Sequence, residues 1–116
     1  MEHPIPSLRL TVVAGSRHGA SRIIVDDTIL GRGSLASTWA VGPLDRGVSR
    51  GHARIFPERD AFWIDDLGSG TGTFVNEVAV LGPEPLRRGH TIRLGPLAGT
   101  GCVVLVVTEI RGVTPC

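Results

Sequence analysis

Lysine is absent from this chain of 116 residues, and all twelve of its basic residues are arginine. Without a lysine amine there can be no Walker-type phosphate loop, no Schiff-base enzyme and no kinase-like active site. A GC-rich genome, which favours arginine, glycine and alanine codons, would produce the same bias, and the exclusion holds either way. Cysteine is scarce. Cys102 and Cys116 are too few for a disulfide scaffold and lack zinc-finger spacing. Cys102 precedes an apolar run and is expected to be a small buried side chain; Cys116 is the terminal residue. Net charge is also scarce, at +1, whereas a nucleic-acid binder carries an evident basic excess. No apolar run reaches bilayer length, and no charged start leads into a hydrophobic signal segment. The expectation is a soluble, cytoplasmic protein with neither nucleic acid nor membrane as partner.

What is present points to one β domain. Hydrophobic residues make up 41% and charged residues 20%, which suits a globular core and not disorder. Sixteen glycines and eight prolines imply many tight connections between short strands. Strand-like runs occur at Leu8–Val13, Arg22–Val25, Thr28–Leu30, Ala53–Phe56, Ala61–Asp65, Thr73–Val75 and Thr91–Leu94. Asp26-Asp27 reads as a turn, and Pro57-Glu58-Arg59-Asp60 as a hairpin connection. Cys102 to Thr108 is a continuous run fit for a fully buried strand. Apolar residues nowhere keep a helical period. The expected fold is an all-β sandwich with two long connections, Arg32 to Ser49 and Leu67 to Thr73, where binding residues would gather. The last residues, 111–116, read as a tail or the stump of a linker after a domain over 1–110.

Four segments, in order, resemble one family. Leu30-Gly31-Arg32 is similar to its "(I/L)GR", and Val48-Ser49-Arg50-Gly51-His52-Ala53 to "VSRxHA". Asp66 to Asn76 is similar to "DLGSxNGTxVN", and Leu86 to Gly95 to "LxxGDxIxLG". Each alone is common; the four together, in this order, resemble the forkhead-associated (FHA) domain from about Leu8 to Val107. The resemblance implies two mostly antiparallel twisted sheets with binding loops at one end. It also implies a module that docks phosphothreonine segments of partner proteins in bacterial-style Ser/Thr kinase signalling, often as part of a larger protein.

The residue chemistry fits that implication. A guanidinium presents a planar fork of donors to phosphate oxygens and stays charged at working pH. Arg32 would supply the fork, Ser49 would add its hydroxyl and backbone amide, and Arg50 a second cation. The resemblance further implies a small pocket for the threonine methyl, Gly70 and Thr71 bordering the bound peptide, and structural roles for Gly31, His52, Gly72 and Asn76. Three positions depart from the family. Thr71 stands where the family has an Asn whose amide clasps the peptide backbone, and one hydroxyl cannot copy two donors. Gly70 stands where a phosphate-holding Ser or Thr is frequent. His90 replaces a common acidic residue and is expected merely to occupy a turn.

Rival readings are weaker. Ser49 and His52 have no acidic orienter for a triad, and Asp65 and Asp66 would face opposite sides of a strand. The run Gly68 to Thr73 does not lead from a strand into a helix, as a nucleotide loop must. His3, His18, His52 and His90 have no metal-site spacing, so no metal or cofactor is implied. The remaining alternative is a degenerate FHA domain that docks proteins, or its own neighbouring domains, without phosphate.

Overall fold

A computed structural model describes residues 5–33, 37–97 and 101–113, so Cys116, His3 and the end of the expected tail lie outside the described residues. The strands are β1 (Ser7–Ala14), β2 (Ser21–Ile24), β3 (Thr28–Gly31), β4 (Trp39–Ala40), β5 (Ala53–Glu58), β6 (Ala61–Asp66), β7 (Thr73–Val75), β8 (Val78–Ala79), β9 (Glu84–Leu86), β10 (Thr91–Leu94) and β11 (Val103–Arg111). They form a six-stranded sheet, β2-β1-β11-β10-β7-β8, and a five-stranded sheet, β4-β3-β5-β6-β9. Every pairing is antiparallel except that of β4 with β3.

Alternation decides which face each strand buries. Leu8, Leu10 and Val12 of β1, Ile55 of β5, Phe62 and Ile64 of β6, and Val103, Leu105 and Val107 of β11 all point between the sheets and are essentially inaccessible. Cys102 corrects its expectation: it is free and only partly buried, just before β11. The run that follows alternates between buried and half-buried residues, because β11 packs one face against the core and turns Val104 and Val106 outward.

Asp26 and Asp27 do lie in a bend, and it carries the chain from β2 in one sheet to β3 in the other. The next connection is shorter than its sequence reading. Pro57 and Glu58 belong to β5, paired with Phe62 and Ala61. Only Arg59 and Asp60 form the connection, with φ of 52° and 60°, the left-handed pair of a two-residue hairpin turn. Pro57 is tolerated because it lies beyond Ile55, the last β5 residue paired with β3.

The three strands without a sequence signal, β4, β8 and β9, have two or three residues each. β4 divides the long connection after Arg32 and holds it beside β3. β11 continues through Arg111, opposite Ser7, and Val113 packs against the core. The structured part of the chain thus extends past residue 110.

Candidate functional site

The loops that follow β3, β4, β6 and β10 meet at one end of the sandwich, and glycines set how closely they approach. Gly31 ends β3 against the loop before β5. A Cβ there would lie 1.9 Å from the Arg50 carbonyl oxygen, closer than any atom can come. That contact allows Arg32 N–H to donate to the Ser49 carbonyl at 2.9 Å. Arg32 and Ser49 are therefore fixed to each other through their backbones. Gly31 acts here by its missing side chain and not by shaping a turn.

Around this contact lies an open hollow of about 290 Å³ lined by Arg32, Gly33, Pro43 and Arg50. Arg32 is half-buried and Arg50 exposed. Among the described residues neither guanidinium forms an ion pair. Two cations thus face one hollow whose lining contains no carboxylate.

His52 ties the loop that carries Ser49 to the loop that carries Gly72. Its side chain is fully buried. Nδ1 accepts the Ser49 N–H at 3.0 Å, so Nε2 carries the ring proton and donates it to the Gly72 carbonyl at 2.7 Å. Burial pushes the His52 imidazole below its ordinary pKa, against the opposing pull of the Gly72 bond and the Asp66 carboxylate. The ring is therefore a neutral strut between two loops. It also uses the Ser49 amide, which corrects the expectation that this N–H is a free donor. Of the two Ser49 groups expected to donate, the hydroxyl is the one left.

The loop after β6 is organised by Asp66, whose role the sequence reading missed. Its carboxylate accepts from Gly68 N–H and Ser69 N–H, both at 3.0 Å, from Ser69 Oγ at 2.6 Å and from Thr73 Oγ1 at 2.7 Å. Burial alone would raise the Asp66 pKa, but the Ser69 and Thr73 bonds outweigh it and hold the carboxylate below its usual range. An Asp followed by Gly and Ser at these offsets is a turn signature that could have revealed this role. Gly68 and Gly72 take φ of 74° and 93°, as the expected sharp bends require.

Gly70 is open to solvent, with nothing near its Cα for a side chain to meet. Thr71 Oγ1 donates to the Gly47 carbonyl at 2.5 Å. These two residues stand on the neighbouring loop and do not line the hollow formed by Arg32 and Arg50. Asp45, also missed from sequence, ties the same end to the β1–β2 turn, accepting from Ser16 N–H at 3.0 Å and Ser16 Oγ at 2.6 Å.

Comparison with known proteins assigns this arrangement. A family model for the FHA domain matches residues 28–95, which carry the loops after β3, β4 and β6. The chain belongs to the FHA domain family. It is 36% identical over 93 residues to an FHA domain-containing protein of Arabidopsis thaliana, covering 78% of this chain and 24% of that protein. The chain thus spans about a quarter of that curated relative. Among solved structures, an FHA domain of an Arabidopsis thaliana protein superposes with a TM-score of 0.77 at 29% identity, covering 96% of this chain and 92% of that one. A second FHA domain, whose interactions depend on phosphothreonine, superposes with a TM-score of 0.70 at 28% identity, covering 95% and 99%.

Asn76 and His90 each lie in a turn. Asn76, at φ 48°, opens the turn between β7 and β8, and its Oδ1 accepts Thr91 N–H at 2.9 Å. His90 occupies the turn before β10, with Nδ1 accepting Arg87 N–H at 3.2 Å. Burial, then the Arg87 charge, hold its pKa below the ordinary value. FHA domains are interaction modules.

Proposed function

We propose that this FHA domain docks phosphothreonine-containing segments of partner proteins and catalyses no reaction. The observation that carries the reading is the pair of guanidiniums, Arg32 and Arg50, facing one open hollow with no carboxylate among the described residues to neutralise them. A phosphate brings about −1.5 to −2 charges near neutral pH. Charge-assisted hydrogen bonds contribute about 1.5–3 kcal/mol each, so two or three would supply most of a micromolar affinity, about −8 kcal/mol. The phosphothreonine-dependent relative supports the same reading. Gly70 and Thr71, on the adjacent loop, would border the peptide backbone. The setting we propose is a bacterial-type Ser/Thr kinase circuit in the cytoplasm, with the domain serving a larger parent protein.

One observation favours a second reading. Thr71 spends its single hydroxyl proton on Gly47, so the clasp on peptide backbone that the family draws from this position is missing. A degenerate domain that docks partners without phosphate would tolerate that loss. Titration of a degenerate phosphothreonine peptide library into wild type and Arg32→Ala separates the two. Micromolar binding that requires the phosphate and falls about hundredfold in Arg32→Ala is the expected result. Failure of every phosphopeptide with the folded wild type favours the phosphate-independent reading instead.

A further inference from the structure

Charge in this nearly neutral chain is divided between the two ends of the sandwich. The connections β1–β2, β3–β5, β6–β7 and β10–β11 lie at the loop end. Together they carry four arginines, Arg17, Arg32, Arg46 and Arg50, and one carboxylate, Asp45. The connections β2–β3, β5–β6, β7–β8 and β9–β10 lie at the opposite end. They carry Asp26, Asp27, Asp60 and Glu77 against Arg59, Arg87 and Arg88. The imbalance at the loop end is not corrected from within. Asp45 is 8% exposed, and its Oδ2 is taken by Ser16 N–H and Ser16 Oγ. Asp66, at the end of β6, accepts the four bonds of its own loop. The arginines that pair with carboxylates among the described residues, Arg54, Arg93 and Arg111, all stand on strands.

The hollow accounts for Arg32 and Arg50. Arg17 and Arg46 line no part of it, yet their backbones are held close to its wall. The turn from Gly42 to Asp45 contains the hollow-lining Pro43 and is closed by Asp45 N–H on the Gly42 carbonyl at 3.1 Å. Leu44 N–H donates to Ser16 Oγ at 3.3 Å. The clasp between Ser16 and Asp45 therefore sets Arg17 and Arg46 each one residue from the same contact. On its other side Arg46 adjoins Gly47, whose carbonyl holds Thr71 Oγ1. Arg46 thus stands between the Pro43 wall and the tie to the Thr71 loop, with Arg17 clasped alongside. Both are exposed.

We infer that Arg17 and Arg46 read acidic side chains that flank the phosphothreonine, so that the partner segment is rich in Asp and Glu as well as phosphorylated. The inference rests on the proposed phosphothreonine docking and names the class of segment that this site takes. Exposed ion pairs add little affinity each. Their field acts instead on partner choice and on the rate of encounter. A segment with basic flanks meets the same field as repulsion, so the two arginines exclude as well as select.

Calorimetric titration with matched phosphothreonine peptides tests the inference, the flanking residues being Asp and Glu in one peptide and Asn and Gln in the other. Wild type is expected to bind the acidic peptide about tenfold more tightly at low salt, an advantage that shrinks as salt screens it. In the double variant Arg17→Gln, Arg46→Gln the advantage is expected to fall to within about twofold, with an unchanged thermal melt. The ratio between two peptides on one protein cancels whatever these arginines add to phosphate binding itself. Phosphopeptides bound without preference for acidic flanks, or a preference that survives the double variant, overturn this inference and leave the docking reading standing. Failure of both peptides and of the whole phosphothreonine library overturns the two together.

Discussion

Arg93 and the pair Arg32 and Arg50 are the same side chain put to opposite uses. Arg93, on β10, is 6% exposed. Its guanidinium pairs with Glu77 at 3.0 Å, donates to the Gly95 carbonyl, and lies 4.0 Å above the Phe74 ring. Every face of that cation is satisfied inside the protein. Arg32 and Arg50 face a hollow with no such partner among the described residues. In a chain whose cations are all arginine, residue type says nothing about role. Whether the fold supplies the counter-charge does. A satisfied guanidinium contributes to stability, whereas an unsatisfied one on a fixed backbone is ready for an anion from outside.

Exchange of the two roles by mutation gives the largest effects. Arg32→Ala, expected to weaken phosphopeptide binding about hundredfold, should leave the free energy of urea unfolding within about 0.5 kcal/mol of wild type, because its guanidinium has no ion-pair partner among the described residues to lose. Arg93→Ala should do the reverse. Loss of the Glu77 pair, the Gly95 bond and the packing on Phe74 is expected to cost about 2 kcal/mol of stability. Affinity measured on the folded fraction should stay within about twofold of wild type. If Arg93→Ala weakens binding as strongly as Arg32→Ala, the two arginines belong to one network and the contrast fails.

His52 stands between these extremes, buried like Arg93 but bonded to the loop that carries Arg50. Its folded pKa lies below the free imidazole value, so the unfolded chain binds the proton more readily. Its contribution to stability is complete above the unfolded pKa of about 6.5 and declines as pH falls from there toward the lower folded value. The slope from this group cannot exceed about 1.4 kcal/mol per pH unit. Protonation at Nδ1 also removes the acceptor for Ser49 N–H. Urea unfolding at a series of pH values should therefore show a decline in acid that is shallower in His52→Asn. Equal slopes would mean that another group, such as Asp66 at still lower pH, carries the acid sensitivity.

The sequence disclosed the parts of this structure whose signal is local. The alternation of Leu8, Leu10 and Val12, or of Ile92 and Leu94, marks a strand because burial on one face repeats every second residue. β4, β8 and β9 have no such pattern, since two or three residues cannot establish a period and their existence depends on what they lie beside. The hairpin around Arg59 and Asp60 was legible but its bounds were not: left-handed backbone at an arginine is set by the register of the two strands and has no residue signature. At the site, Arg32, Ser49 and Arg50 were legible through their motifs. The ties that hold them were not. Ser16 with Asp45, Thr71 with Gly47, and Gly31 with Arg50 join residues far apart in sequence, and only the closed sandwich brings them together.

The smallest effect concerns Thr71, where the contrast between internal and external use is decided by one proton. Its hydroxyl donates to the Gly47 carbonyl on the exposed rim of the loops, so it ties two loops and has nothing left to donate to a ligand. Thr71→Asn gives up that tie and gains an amide with two donors and an acceptor. Because the position is exposed, losing one bond there should cost no more than about 0.5–1 kcal/mol of stability. The gain should appear as phosphopeptide affinity tightened about three- to tenfold, read by calorimetry against wild type. If affinity rises, the phosphate anchors already place the peptide within reach of this loop, and wild type binds by those anchors alone. If affinity is unchanged while Arg32→Ala still abolishes binding, the bound segment leaves the hollow along the Gly33 and Pro43 side, and Thr71 serves the loops and not the ligand.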